Sequence, residues 1–177
     1  MQFHDIANAP HFLANISYYR LKGYWWEMQS NLITHTFNQG SYFEDVIDLY
    51  NFDRHSRLLI FDAIERIEVS LRTKLIYYLS LKYGPLFYLD YNIFTDGINQ
   101  MSTVGHLSSE INRSREQFIL EHKSNHKADI PECWKALEVG SVGTLSKIYK
   151  NLKHQLPEKS AICIEFGFNS HSDFSGF

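Results

Sequence analysis

The run LYNFDRHSRLLIFDAIERIEVSLR, at positions 49 to 72, limits the possible folds of this chain more than any other stretch. Apolar side chains recur at Ile60, Ile64, Ile67, Leu71, Leu75 and Tyr78. Steps of three and four place them along one stripe of a 3.6-residue helix, a stripe expected to face a core. Asp62 with Arg66, and Glu68 with Arg72, stand four apart with the acid first, the favourable orientation for pairs along a helix. Glu65 precedes Glu68 by three residues and Arg72 by seven, so the three share a face. That face reads either as a solvated ion-pair ladder, adding about 0.3 to 0.5 kcal/mol per pair, or as a polar set at the edge of a groove. If Arg72 is buried with a glutamate, removing one partner strands a charge, and the pair is then structurally important in either case.

The rest of the chain reads as further helices. Pro10 suits a first turn, and Phe12, Ile16 and Tyr19 fall on one face, giving a helix of about three turns that Gly23 interrupts. Residues 29 to 41 read as a loop with a short extended piece between Ile33 and Phe37. Ser41 with Glu44 has the form of a capping box, and Phe43, Val46, Ile47 and Tyr50 supply the apolar face behind it. Asp53 either caps a new helix or lies within a continuous one; in both cases the helix stops at Gly84-Pro85. Residues 86 to 100 hold Phe87, Tyr88, Tyr91 and Phe94 among turn formers such as Asp96-Gly97, an ordered, aromatic-rich connection. Leu107, Ile111 and Phe118 suggest one helix through about Lys123, with a loop from Ser124 to Asp129. Asp129 with Pro131 marks another start, Trp134 and Leu137 pointing inward until Gly140. Leu145, Ile148 and Leu152 define a further helix, and Pro157 opens a last one through Ile162 and Phe166. No alternation demands a sheet, so the expected class is all-α.

The 177 residues suffice for one substantial core and show no evident linker, so a single domain over 1–177 is expected. A net charge of -3 provides no chain-wide basic field, and any nucleic-acid contact must come from a local patch. Cys133 and Cys163 have no CxxC spacing, and MQFHDIANAPHF lacks the features of a secretory signal, which points to a reducing cytoplasm. No apolar stretch is long enough to cross a bilayer, so no membrane partner is expected.

Several residues are candidates for a site. Arg54, His55 and Arg57 fall at the expected start of the long helix, where positive charge opposes the helix dipole. They read either as partners of Asp53, Asp48 or Glu44, or as a phosphate-contacting edge beside exposed N–H groups. Tyr18, Tyr19, Arg20, Tyr24, Trp25 and Trp26, with Lys22, have the composition that stacks single-stranded bases. Aromatic density also fills helical cores, the expected role of Tyr19 and one tryptophan. Arg113, Arg115, Lys123, Lys127, Lys147, Lys150 and Lys153 enrich the second half in basic charge. His122 and His126 have ligand spacing, but no HExxH and no third ligand accompany them, so neither metal nor cofactor is expected. Cys133 has no assignable base.

The long-helix run, with SYYRLKGYWW at 17 to 26, YGPLFYLD at 83 to 90, SREQFILEHK at 114 to 123, IPECWKALEVGSVGTLSKIYKNL at 130 to 152 and AICIEFGF at 161 to 168, resembles the bacterial abortive-infection (Abi) proteins of the AbiD/AbiF type. The resemblance covers nearly the whole chain. Such proteins are similar to the helical HEPN ribonucleases, so it implies a HEPN-like helical bundle and antiphage defence through RNA binding or cleavage. It also implies a mechanism in which a histidine performs acid-base chemistry on a ribose 2'-hydroxyl and an arginine stabilises phosphate charge, at a dimer interface. In that reading Glu65, Glu68 and Arg72 position an RNA backbone or the histidine.

The chain departs from this pattern at one point. HEPN ribonucleases carry an Arg, four residues and a His, and no His here has an Arg five positions before it: Met101 precedes His106, Gln117 His122, Glu121 His126, Tyr149 His154 and Phe166 His171. Phe177 falls shortly before the place where the family presents the motif, so a shortened gene or a fragment is expected. No residue is therefore assigned as catalytic. Arg54, Arg57, Glu65, Glu68, Arg72, Arg20 and Trp25 stand as RNA-binding or polar-groove candidates. RNA and a homodimer or partner protein are the expected partners. The alternative is a non-enzymatic interaction module that pairs with another defence component.

Overall fold

In a computed structural model, which describes residues 1 to 125 and 130 to 169, the long run forms part of one uninterrupted helix, Phe43–Tyr83. In chain order the helices are α1 (Ala9–Asn15), α2 (Tyr18–Trp25), α3 (Phe43–Tyr83), α4 (Gly97–Arg113), α5 (Gln117–Asn125), α6 (Cys133–Ala136), α7 (Val142–Asn151) and α8 (Pro157–Glu165). Short 3-10 turns join several of them. The strands β1 (Gln29–Asn31) and β2 (Thr36–Phe37) pair antiparallel, Gln29 opposite Phe37. The fold is all-α. The chain divides into two compact units, Met1–Ile64 and Glu65–Phe177.

In the first unit, Ala9, Leu21, Trp25, Phe43, Val46 and Ile47 form the core, with Phe12, Ile16, Tyr24 and Tyr50 packed against it. The expected first helix is broken in two because Ile16 and Ser17 take extended backbone, so Gly23 lies inside α2. The break turns Tyr19 outward, to 81% exposure, whereas Trp25 fills the core. The expected capping box also fails. The Glu44 carboxylate accepts instead from the His4 and Asp5 N–H groups at 3.1 and 3.0 Å, and Asp45 accepts from the Tyr42 N–H. Ser41 Oγ donates to the Met28 carbonyl. The hydrogen bond to Asp5 holds the Glu44 carboxyl below its ordinary value.

The second unit is built on the last third of α3. Leu71, Leu75 and Leu79 meet Phe87, Tyr88, Phe94, Leu107, Ile111, Leu145, Ile148 and Ile162 in one cluster. Gly84, at φ 85°, ends the helix where the sequence places its end. Asp96 is an N-cap rather than part of a turn, its side chain accepting from the Ile98 and Asn99 N–H groups. The helix expected through Lys123 is two helices, parted between Ser114 and Glu116. Asp129 and His126 lie outside the described residues; α6 starts at Cys133, and Trp134 is half exposed while Leu137 is buried. The apolar stripe of α3 faces a core only from Leu71 onward: Ile60, Ile64 and Ile67 are exposed.

Two polar side chains, one buried and one half-buried, tie this unit together. Lys159, 1% exposed, donates from Nζ to the Leu152 and Lys150 carbonyls at 2.7 and 3.1 Å and lies over the Tyr149 ring, satisfying the end of α7. Arg72 donates from Nε to the Leu137 carbonyl at 3.0 Å and from Nη2 to the Gly140 carbonyl at 3.2 Å, while pairing with Glu68 at 2.6 Å. Arg72→Ala is expected to lower the unfolding free energy by about 1 to 3 kcal/mol in urea titrations, because it takes their donor from the Gly140 carbonyl and Glu68, while the Leu137 carbonyl keeps the Gly140 N–H. Glu68→Gln is expected to cost less.

Burial pushes the Cys133 thiol up to about 11 from its ordinary 9.0, which gives alkaline stability a defined sign. The folded state favours the thiol, so its contribution is complete below pH 9 and is lost as pH rises through 11. The unfolding free energy is expected to decline over that interval, and more shallowly between pH 9 and 10 in Cys133→Ala. Equilibrium unfolding at stepped pH tests this.

Candidate nucleic-acid interface

The segment before α4 and the end of α7 are sewn together by side chain and backbone. The Asp96 N–H donates to Asn151 Oδ1 at 3.0 Å, and Asn151 Nδ2 returns a bond to the Asp96 carbonyl at 2.7 Å. The Thr95 N–H donates to the Asn151 carbonyl at 2.8 Å and the Lys153 N–H to the Ile93 carbonyl at 3.0 Å. Beneath them Leu107 and Ile148 belong to the core, so the two helices are held apart at a fixed distance. Above this seam opens a cleft of about 440 Å3, lined by Asp96, Asn99, Thr103, Lys147, Lys150 and His154 among others.

The charge of the cleft is one-sided. Lys147 and Lys150 stand three apart on α7, a spacing that puts them on one helix face, and His154 follows three residues after its end. Asp96, the acid of the lining, is committed to the first turn of α4: Oδ1 accepts from Ile98 N–H at 2.8 Å and Asn99 N–H at 3.1 Å, and Oδ2 from Asn99 Nδ2 at 2.7 Å. Two ammonium groups beside amide and hydroxyl side chains suit phosphate oxygens, which Lys binds as a point charge.

The other basic residues of the second half do not join them. Arg113 and Arg115 line a separate cleft of about 600 Å3 in which Glu110, Glu116 and Glu138 offset their charge. Lys123 Nζ donates to the carbonyls of Ile111 and Asn112 at the end of α4. Lys127 lies outside the described residues. Lys153 is exposed and is not part of the cleft lining. Basic enrichment was visible in the sequence. The convergence depends on Asn151 joining segments 55 residues apart, which no local signal encodes.

The sequence-predicted residues fall into three groups. Arg57 and Trp25 belong to the first unit's interior contacts: Arg57 Nη1 donates to Tyr24 Oη at 3.4 Å and pairs with Asp53, the Tyr24 hydroxyl also donating to Asp53. The bond to Tyr24 raises the Arg57 pKa. Arg20 lies over the Tyr50 ring at 5.9 Å. Glu68 and Arg72 form the anchor described above. Arg54 and Glu65 are exposed on α3. The expected helix start at Arg54 is replaced by one at Phe43, so Arg54, His55 and Arg57 sit about three turns inside the helix, away from free N–H groups and from the dipole end. On α2 Tyr18 and Tyr19 are exposed, as is Trp26 just past its end, with Lys22 over the Trp26 ring at 5.8 Å. His122 is buried, its Nδ1 lying 3.4 Å from Lys135 Nζ. Among the described residues no group of three or more His, Cys, Asp or Glu could hold a metal ion, and no helix is long and apolar enough to cross a membrane.

Comparison with curated proteins and with solved structures returns no match. The family model described as Abi-like protein matches residues 11–176, nearly the whole chain, and the protein therefore belongs to the Abi-like family.

Proposed function

We propose that this Abi-like chain serves phage defence by binding single-stranded RNA through the cleft between α4 and α7, without cutting it. Family membership supports abortive infection as the setting. The finer AbiD/AbiF assignment and the HEPN-like reading extend that membership through the quoted sequence runs. One observation carries the RNA part: Lys147 and Lys150 share a cleft whose acid, Asp96, is already bound to the N-terminus of α4. The chain's net charge of -3 makes such a local patch the requirement for any polyanion contact.

The non-catalytic part rests on the lack of an Arg five residues before any His. Chemistry on a 2'-hydroxyl needs a base and a phosphate-stabilising cation in one place, and no such pair is assigned here. The second reading, a non-enzymatic module pairing with another defence component, draws on the exposed apolar middle of α3.

Fluorescence anisotropy with a labelled single-stranded RNA, over a range of salt, tests the cleft. Each phosphate contact contributes about -0.7 to the slope of log affinity against log salt. Lys147→Ala and Lys150→Ala are each expected to make the slope shallower by about 0.7, while Lys153→Ala leaves it unchanged. Equal effects at all three positions would reduce the interaction to general charge. Total RNA incubated with the purified chain is expected to stay intact, and cleavage abolished by Arg72→Ala would overturn the non-catalytic reading.

A further inference from the structure

We infer that Asn99 and Ser102 on α4 make the cleft selective for ribose over deoxyribose, by accepting hydrogen bonds from the 2'-hydroxyls of a strand whose phosphates lie on α7. The inference rests on the cleft reading above and adds the residues that set its specificity. α4 and α7 run antiparallel and level. Asp96 meets Asn151 at one end, and at the other Leu107 lies against Gly140, where a Cβ would fall 3.3 Å from Leu107 Cδ1. Eleven positions separate these contacts on each side, from 96 to 107 and from 140 to 151. Asn99 and Ser102, three apart, therefore line the same cleft as Lys147 and Lys150, three apart, from the opposite helix.

The two walls differ in what they offer. α7 brings ammonium groups, which donate and cannot accept. On α4 the polar groups are sorted by the bonds they already make. Asn99 Nδ2 donates to Asp96 Oδ2 at 2.7 Å, and chemistry fixes that orientation of the amide, since a carboxylate only accepts. Asn99 Oδ1 is the atom left over, and it takes no hydrogen bond among the described residues. Thr103 Oγ1 donates to the Asn99 carbonyl at 2.8 Å. The exposed Ser102 hydroxyl has no partner among the described residues. An amide oxygen repels a phosphate oxygen, lone pair against lone pair, so Asn99 Oδ1 calls for a donor. The 2'-hydroxyl is the donor that every ribonucleotide carries whatever its base, and that deoxyribonucleotides lack. Phosphates held by Lys147 and Lys150 keep the adjoining sugars in the cleft, where α4 is the facing wall. A deoxy strand there covers the same acceptors and gives them no donor.

Fluorescence anisotropy with three labelled strands of one sequence, oligouridylate and its 2'-fluoro and 2'-deoxy forms, tests this. Uracil has no exocyclic amino group, so the strands differ only at the 2' position, where fluorine and hydrogen both remove the donor. The parent is expected to bind the ribo strand about tenfold more tightly than either analogue. Asn99→Ala and Ser102→Ala are each expected to lower that ratio about threefold, and the double variant to bring it to about one. Asn99→Ala also releases Asp96 Oδ2, which weakens all three strands together; the ratio is the readout that such a change of field leaves alone. Lys147→Ala should weaken all three strands alike and keep the ratio. Equal affinity for the ribo and 2'-fluoro strands, or a preference that survives the double variant, would overturn the inference, and lysine-dependent binding would then leave the cleft reading standing. Binding indifferent to both Lys147→Ala and Lys150→Ala, or no binding of any strand, would remove the cleft reading and this inference with it.

Discussion

The guanidinium of Arg72 is the constraint on which the second unit's arrangement turns. From one point on α3 it holds the carbonyls of Leu137 and Gly140, residues 65 and 68 positions away, and keeps Glu68 beside it. Gly140 is suited to that position: a Cβ there would come within 3.3 Å of both Leu107 Cδ1 and the Leu137 carbonyl oxygen. The chain thus reaches α7 through a tight passage that α3 fixes on one side and α4 on the other. From there the direction of α7, and with it the placing of Lys147 and Lys150 near Asp96, follows. A helix-surface ion pair is worth little by itself. The same arginine, at 13% side-chain exposure, shares the Leu137 carbonyl with the Gly140 N–H and also holds the Gly140 carbonyl, so it is worth more than a surface pair because its removal takes away a donor from that second carbonyl.

How much of this was legible depended on whether a signal is local. The end of α3 at Gly84 and the start of α8 at Pro157 follow from backbone chemistry within one or two residues, and both are found where the sequence puts them. Leu145 and Ile148 on α7, and Leu152 just past its end, are buried, as their three- and four-residue period requires. The capping box at Ser41 and Glu44 has the right letters, but the Asp5 and His4 amides compete for the carboxylate, and that competition comes from 39 and 40 residues away. The single helix expected through Lys123 fails for a related reason: residues 114 to 116 leave the helix, and Lys123 then folds back to cap the carbonyls of Ile111 and Asn112. Periodicity shows which side of a helix is apolar without showing where the helix bends.

The candidate site was less legible than the fold because its function resides in charge that is not offset. Every acid in the sequence counts equally toward the net charge of -3, yet their effects in space differ. Asp96 spends its carboxylate on a helix terminus, whereas Glu110, Glu116 and Glu138 share the cleft of Arg113 and Arg115. Two basic pairs that look alike in the chain therefore present different fields, one open to a polyanion and one internally compensated. Low net charge and local anion affinity are compatible because a helix N-terminus or a nearby cation partly offsets an acid's field, and such offsets are distributed unevenly over the surface.

The middle of α3 poses the opposite problem, apolar surface with nothing from either cluster upon it. A stretch of about a dozen residues is marginal as an isolated helix in water, so anchoring at its ends matters. Here both ends are held, by Phe43, Val46 and Ile47 at one and Leu71, Leu75 and Leu79 at the other. Helical propensity then needs only to bridge between two anchored segments, and Leu, Ala, Glu and Arg supply it through residues 57 to 68. Had that bridge only to be helical, lysine and glutamate would have served as well as Leu58, Phe61 and Ile64. Large apolar side chains there cost solubility and join neither hydrophobic cluster among the described residues, so burial is not what holds this stretch in a helix.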